Sequence, residues 1–418
     1  MADTPHVVIV GAGFAGLYAA KVLAREPVSV TIVDRRNHHL FQPLLYQVAT
    51  AGLNPADIAS PIRSIFRGHD NVDVVLGDVT AVDVPGKRVV LADGEIPYDF
   101  VIVATGATHS YFGHDDWAPF APGLKSVEDA LEIRRRVFFA YERAERETDP
   151  AARDAWLTFV IVGGGATGVE MAGVLAEIAH HGLSREFRRI DPGKARVILV
   201  EGEPRVLPPY PEDLSEEARL QLMRRGVEVR LGKHVTGIDA EGVTIGNERL
   251  PARTVVWAAG VKASPLAKSL GAPLDRAGRV LVTRELTVPG HAEVFVAGDL
   301  VTLEQGGRLI PGVCPSAMQE GEHAARNILH AIRGEPLRPF RYIDKGSFAT
   351  IGRGDAVGVL RGGTEIRGAV GWFAWLLIHV YYLIGFRNRV AVLLQWAWAY
   401  LTFKRGARLI TGRGWSSS

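Results

Sequence analysis

The 418-residue sequence predicts an α/β fold of two doubly wound domains followed by a helical C-terminal segment, and three observations predict it. A glycine-rich turn, Gly11-Ala-Gly-Phe-Ala-Gly16, follows the β-branched run Val7–Val10. A second, Gly163-Gly-Gly-Ala-Thr-Gly168, follows Phe159–Val162. The last seventh of the chain is apolar and holds five of the eight tryptophans.

A continuous run such as Val7–Val10 reads as a strand buried on both faces. Gly11 permits the tight turn behind it, Gly13 lets backbone approach a phosphate, and Gly16 lets the following helix, expected from Phe14 to about Arg25, pack on the strand. Phe14 and Ala15 open that helix, whose N-terminus aims unpaired N–H groups and a positive dipole end at an anion. The next strand, Ser29–Val33, ends in Asp34 and Arg35, and Asp34 lies 18 residues beyond Gly16, where a carboxylate accepts from a ribose hydroxyl. Strand, turn, helix, strand and terminal acid in this order are a Rossmann-like dinucleotide-binding unit.

The second turn repeats the grammar through Gly163, Gly165, Thr167 and Gly168, with a helix expected over Val169–Ala179. Its acid is Glu201, at the end of Arg196–Val200 and 33 residues beyond Gly168. An insertion near Gly182–Lys194, carrying Pro192 and Gly193, accounts for the extra length. Glutamate there repels a 2′-phosphate, so NADH is expected over NADPH.

A single cysteine, Cys314, excludes a disulfide framework, a Cys-x-x-Cys dithiol and any four-cysteine metal cluster. Adjacent His38 and His39 lie on opposite faces of an extended segment, and no metal site is implied. No basic patch interleaved with aromatics suggests nucleic acid. With a strand expected already at His6, the reading leaves no room for a signal peptide and puts the N-terminus in the cytoplasm. Formal net charge is +2, yet residues 361–418 carry eight Lys/Arg against Glu365 alone, so the rest of the chain is net acidic.

That basic tail contains an 18-residue apolar stretch, Ala369–Phe386, broken only by His379. As a helix it would be about 27 Å long, the lower edge of a membrane span. The second run, Val390–Phe403, is too short to cross alone at about 21 Å. Arg387, Arg389, Lys404, Arg405 and Arg408 flank these runs, with Trp372, Trp375, Trp396, Trp398 and Trp415 among them. Tryptophan and arginine beside apolar helices mark residence at a lipid headgroup boundary. The expectation is attachment to the bilayer surface at the cytoplasmic face of the inner membrane, peripheral or monotopic.

With Tyr98-Asp-Phe-Val-Ile-Val-Ala-Thr-Gly106, Val255-Val-Trp-Ala-Ala-Gly260 and Val294-Phe-Val-Ala-Gly-Asp299 added, the chain resembles the two-dinucleotide flavoprotein reductases related to pyridine-nucleotide-disulphide reductases. Three further stretches are similar to type II NADH dehydrogenase, the single-subunit NADH:quinone oxidoreductase. They are His39-Leu-Phe-Gln-Pro-Leu-Leu-Tyr-Gln47, Gly312-Val-Cys-Pro-Ser-Ala-Met-Gln-Glu-Gly321, and Tyr382–Arg389 leading into Trp396–Phe403. The resemblance implies non-covalent FAD on the first fold, with Asp34 at the ribose, backbone near Val79 at the adenine, and Gly298-Asp299 at the ribityl or phosphate portion. Thr105, Gly106 and Gly260 would lie in turns against the cofactors, and NADH would bind the second fold. It also implies that Glu170 relays protons or orients quinone, that Ala317 and Gln319 shape the flavin and quinone pocket, and that Lys345 lies nearby. Cys314 and Pro315 replace the leading Ala-Gln of the family motif, which puts a proton path through that first glutamine in doubt.

The implied reaction is hydride transfer from NADH to FAD and two-electron reduction of a membrane quinone, menaquinone or ubiquinone, without proton pumping. The expected organisation is interleaved: an FAD domain over 1–115 and 290–360, an NADH domain over 116–289 and membrane helices over 361–418. Antiparallel strands, for example Val72–Val75 and Arg88–Leu91, would be added to the two parallel sheets. Two alternatives are a sulfide:quinone oxidoreductase, which needs at least two redox cysteines, and an NADH-responsive flavoprotein sensor or scaffold. The sequence leaves the quinone type and a homodimer open.

Overall fold

The computed structural model describes residues 4–183, 186–402 and 407–411. The chain forms two compact units, and it passes between them several times. The first comprises the chain up to Leu40, Ala59–Thr108 and Val261–Lys345; the second comprises Phe41–Ile58, His109–Gly260 and the chain from Gly346 onward. The crossings at Thr108 and Val261 differ from the sequence-based boundaries near 115 and 290. The segment 41–58 and the residues after 345 also join the second unit rather than the first.

In the first unit, five parallel strands run in the order His291–Val296, Phe100–Val103, His6–Val10, Ser29–Asp34 and Val72–Leu76, with Thr287–Val288 antiparallel at one edge. Val7, Val8 and Ile9 are fully buried, as a central parallel strand covered on both faces requires. Val72–Leu76 corrects an expectation. It is a parallel member of the main sheet, at its other edge, and is only partly buried there. Arg88–Leu91 does form an antiparallel sheet, between Val79–Asp83 and Gly94–Pro97. The Phe14–Leu23 and Cys314–Ile332 helices touch closely, since a Cβ at Gly321 would lie 2.0 Å from the Ala15 carbonyl oxygen.

The second unit has four parallel strands in the order Val227–Arg230, Arg196–Val200, Thr158–Val162 and Thr254–Trp257. A π-helical turn, Ile178–Gly182, and a 3₁₀ turn, Pro192–Lys194, fill the insertion between the Ala166–Glu177 helix and Arg196–Val200. Beyond residue 345 come three antiparallel strands, Gly346–Gly352, Asp355–Leu360 and Glu365–Arg367. The first of them presses on the Ala166–Glu177 helix at Gly173, where a Cβ would stand 2.0 Å from the Ile351 carbonyl oxygen.

Two helices follow, Gly368–Tyr382 and Phe386–Thr402. The long apolar run is thus cut at Leu383-Ile384-Gly385, where Gly385 takes φ +86°. Among the described residues no helix is long and apolar enough to cross a membrane. The pair docks through Trp396, whose indole N–H donates to Gln47 Oε1 at 2.7 Å, and Trp375, 5.4 Å from the Trp396 ring centre. Burial pushes His379 down to about 4, so the one ionisable group of the run is neutral, with Nδ1–H donating to the Trp375 carbonyl. Phe403, Lys404, Arg405 and Trp415 lie outside the described residues.

Candidate active site

The first glycine loop is built from backbone constraints. Gly11 takes φ +100°, donates its N–H to the Val33 carbonyl at 2.8 Å, and leaves no room for a Cβ, which would meet the Ala104 carbonyl oxygen at 2.5 Å. A Cβ at Gly16 would lie 1.8 Å from the Gly11 carbonyl oxygen. Around Gly13, by contrast, nothing stands within 4 Å of where a Cβ would be. The helix that begins at Phe14 has no side-chain cap, so no side chain satisfies its first N–H groups. Asp34 holds the loop from the neighbouring strand: Oδ2 accepts from Ala12 N–H at 2.7 Å and Oδ1 from Arg36 N–H at 2.8 Å. Arg35 points into solvent.

The second loop repeats this construction. Gly163 takes φ +110° and donates to the Val200 carbonyl at 2.8 Å; a Cβ at Gly168 would lie 1.8 Å from the Gly163 carbonyl oxygen; Gly165 is open. The helix over Ala166–Glu177 is likewise uncapped by a side chain, and Thr167 on its first turn is exposed. Glu201 does what Asp34 does. Its Oε2 accepts from Gly164 N–H at 2.5 Å and its Oε1 from Glu203 N–H at 2.8 Å. The longer spacing in sequence is absorbed by the intervening turns, and the acid arrives at the equivalent position.

Other predicted residues of the first unit cluster by turn. Thr105 has a buried hydroxyl with no partner, and Gly106 beside it takes φ +66°. Gly298 takes φ +80°, where a Cβ would meet the Ala15 and Ala317 methyls at 3.3 and 3.7 Å, and Asp299 follows. Gln319 is a clamp: its Nε2 donates to the Pro315 and Ile343 carbonyls at 2.9 and 3.0 Å, while Oε1 accepts from Ile343 N–H at 3.0 Å. It thereby fixes the segment leading to Lys345, which is itself exposed. Val79 opens the Val79–Asp83 strand and is half-buried.

In the second unit, Glu170 is buried and accepts from the Thr350 backbone N–H; burial holds its carboxyl well above the ordinary carboxylate range and favours the protonated form. Thr350 also lines a small, partly open cavity of about 80 Å³, together with Val174 one helical turn beyond Glu170 and the aromatic walls Tyr46, Trp372, Trp375 and Trp396. Gly260 sits under the Phe112 ring, where a Cβ would meet Cζ at 2.5 Å.

Two residues escaped the sequence reading. His39 is buried, donates from Nδ1 to the Ala12 carbonyl at 2.8 Å, and meets the Phe14 ring edge-on at 5.1 Å, so it braces the first loop. Burial lowers it to about 4, leaving it neutral. Its alternation with His38 already implied that one of the pair faces inward, but not which. Glu320 is buried and accepts from Gly298 N–H at 2.6 Å; beside Glu322 in an amphipathic helix, nothing in the sequence distinguishes it from a solvated acid.

Comparisons with known proteins agree with this architecture. Residues 5–321 match the pyridine nucleotide-disulphide oxidoreductase family. Two type II NADH:quinone oxidoreductases of Mycobacterium tuberculosis are 45% and 46% identical, over 97% and 98% of this chain and 90% of each relative. The type II NADH:quinone oxidoreductase of Staphylococcus haemolyticus is 30% identical over 86% of this chain and 90% of its own length. Among solved structures, NDH2 of Plasmodium falciparum in complex with NADH superposes with a TM-score of 0.87 at 17% identity, covering 98% of this chain and all of that one. The sulfide:quinone oxidoreductase of Aquifex aeolicus shares the fold at a TM-score of 0.74 and 18% identity, covering 92% of both chains. The chain therefore belongs to the type II NADH:quinone oxidoreductases, FAD-dependent enzymes within the pyridine nucleotide-disulphide oxidoreductase family.

Proposed function

We infer that the first loop holds FAD, that the second holds NADH, and that the chain passes two electrons from NADH to a membrane quinone without pumping protons. The observation that carries the quinone end of this reading is Glu170, a buried acid in the protonated range that shares Thr350 with an aromatic-walled cavity. The chemistry FAD supplies when bound is acceptance of a hydride from NADH and release of two electrons to a quinone. The residues present fit it: the open space at Gly13 and the uncapped helix would receive the pyrophosphate, Asp34 the ribose, and the unpartnered Thr105 hydroxyl and Asp299 the remaining polar edge.

A quinone taking two electrons also takes two protons, whereas a hydride carries one. Glu170 holds the other at its carboxyl, Thr350 N–H orients that group, and Gln319 keeps the segment before Lys345 in place. The tryptophan and tyrosine faces of the cavity suit a flat ring. A sulfide-oxidising reading lacks its second cysteine, because Cys314 is alone in the sequence. The direct test is anaerobic reduction by NADH followed by menaquinone or ubiquinone, watched at the flavin absorbance. Rapid reoxidation supports the enzyme, and a flavin that stays reduced favours the sensor.

Glu201 faces the ribose end of the second loop with its charge, so kcat/KM is expected to favour NADH strongly over NADPH. Comparable values for the two nucleotides in steady-state assays would contradict that assignment.

The tail supports attachment to a lipid surface at the cytoplasmic face of the inner membrane. Val370, Phe373, Leu377 and Tyr381 are exposed along one side of the Gly368–Tyr382 helix, and Leu394 and Trp398 are exposed on the next. Each such side chain is worth about 1.5–3 kcal/mol when buried. Phe373→Gln with Leu377→Gln should therefore weaken binding to anionic liposomes by about 10²–10⁴-fold. NADH oxidation with a soluble quinone should stay near the parental rate; sedimentation with liposomes equal to the parent would sink the surface assignment.

A further inference from the structure

Glu320 lies at the meeting point of three pieces of the first unit. Its Oε2 accepts from the N–H of Gly298 at 2.6 Å, one residue before Asp299. Its chain neighbour Gly321 touches the Ala15 carbonyl, and Gly298 in turn packs on the Ala15 and Ala317 methyls. The first glycine loop, the Gly298-Asp299 turn and the Cys314–Ile332 helix thus share one contact, with a 3%-exposed carboxyl inside it. The charged group that acts on that carboxyl is Asp299, the residue after the Gly298 amide that it holds.

We propose that Glu320 is a positioning residue for FAD that couples cofactor retention to pH: neutral, it holds the Gly298-Asp299 turn in place, and ionised, it sets a second negative charge against Asp299 and the cofactor's own anionic pyrophosphate. The inference rests on the reading that the first loop holds FAD. Burial first, and then the Asp299 charge, push the Glu320 carboxyl up to about 8, against the opposing effect of the Gly298 hydrogen bond. The other titratable group coupled to it is Tyr342, which burial holds at about 12 and which stays neutral throughout this range. On the Phe14–Leu23 helix the one charged side chain, Lys21, lies over the Tyr18 ring.

The sign follows from linkage. Bound FAD adds negative charge, raises the carboxyl further and so binds together with a proton. FAD affinity should be flat below about pH 8 and fall by up to about tenfold per pH unit above it. The test dilutes the holoenzyme at pH 6.5 to 9.5 and follows the rise in flavin fluorescence on release. The wild type is expected to release FAD increasingly from pH 8 upward, Glu320→Asp to keep that dependence, and Glu320→Gln to hold FAD at pH 7 and show no such dependence. A flat wild-type profile overturns the proposal whatever the variants do, and so does an unchanged profile in Glu320→Gln. Gly16→Val separates this failure from that of the underlying reading, because it loses FAD if the first loop holds the cofactor, irrespective of Glu320.

Discussion

Gly168→Val should leave flavin bound and slow its reduction by NADH by orders of magnitude. The first side-chain carbon would stand 1.8 Å from the Gly163 carbonyl oxygen, closer than any non-bonded contact allows, so the second loop cannot close onto its helix. The N–H groups at the start of the Ala166–Glu177 helix, which no side chain caps, then miss the pyrophosphate proposed to bind there. Hydrogen bonds to a charged partner are worth about 1.5–3 kcal/mol each, and losing two lowers kcat/KM for NADH by about 10²–10⁴-fold. Dithionite should still bleach the flavin, because the first loop is untouched. Stopped-flow absorbance with NADH measures the loss, and an unchanged rate would mean that NADH binds elsewhere.

Glu170→Gln should slow quinone-dependent turnover by about a hundredfold, the low end of what a positioned proton donor contributes, while leaving flavin content and the NADH half-reaction near normal. Glutamine keeps the shape and can still accept from Thr350 N–H, but it has no acidic proton to give. The pH dependence carries a sign. Burial raises the Glu170 carboxyl, so the donor form persists from low pH upward and is lost as pH climbs through the shifted value. The wild-type quinone rate therefore declines on its alkaline side, and the variant lacks that decline. Double-mixing experiments, reduction by NADH and then quinone, isolate the step; equal quinone rates for the two proteins would remove Glu170 from the mechanism.

Gly168 and the two nucleotide folds could be named from the chain alone, because glycine positions that admit no Cβ leave a mark in sequence, whereas Glu170 was singled out through the family resemblance. Gly11, Gly16, Gly163 and Gly168 are each demanded by a carbonyl in the way. Glu201 was legible despite its distance because it ends a buried strand, and the strand register rather than the residue count decides where it arrives. Val72–Leu76 was misplaced because a short strand carries no mark of its partner's direction, and this one, only partly buried, pairs parallel with Ser29–Asp34 at the sheet edge. The tail was read as two apolar runs and forms two helices, but the first run was carried through Phe386 although Gly385 stood in it, and the break falls there, with Phe386 opening the second helix. Glu320 and His39 were invisible because burial of a polar group depends on partners far along the chain, Gly298 and Ala12 here.

The grip of Glu201 on its own loop has a consequence for anyone wishing to reverse the coenzyme preference of this protein. The carboxylate is at once the group that would exclude a 2′-phosphate and the acceptor that satisfies the Gly164 and Glu203 amides. Exchanging it for a small or basic residue strips two backbone donors of their partner in the same stroke. Selectivity and loop integrity are thus soldered to one side chain, and a redesign for NADPH has to import a substitute acceptor for Gly164 before it can welcome the extra phosphate.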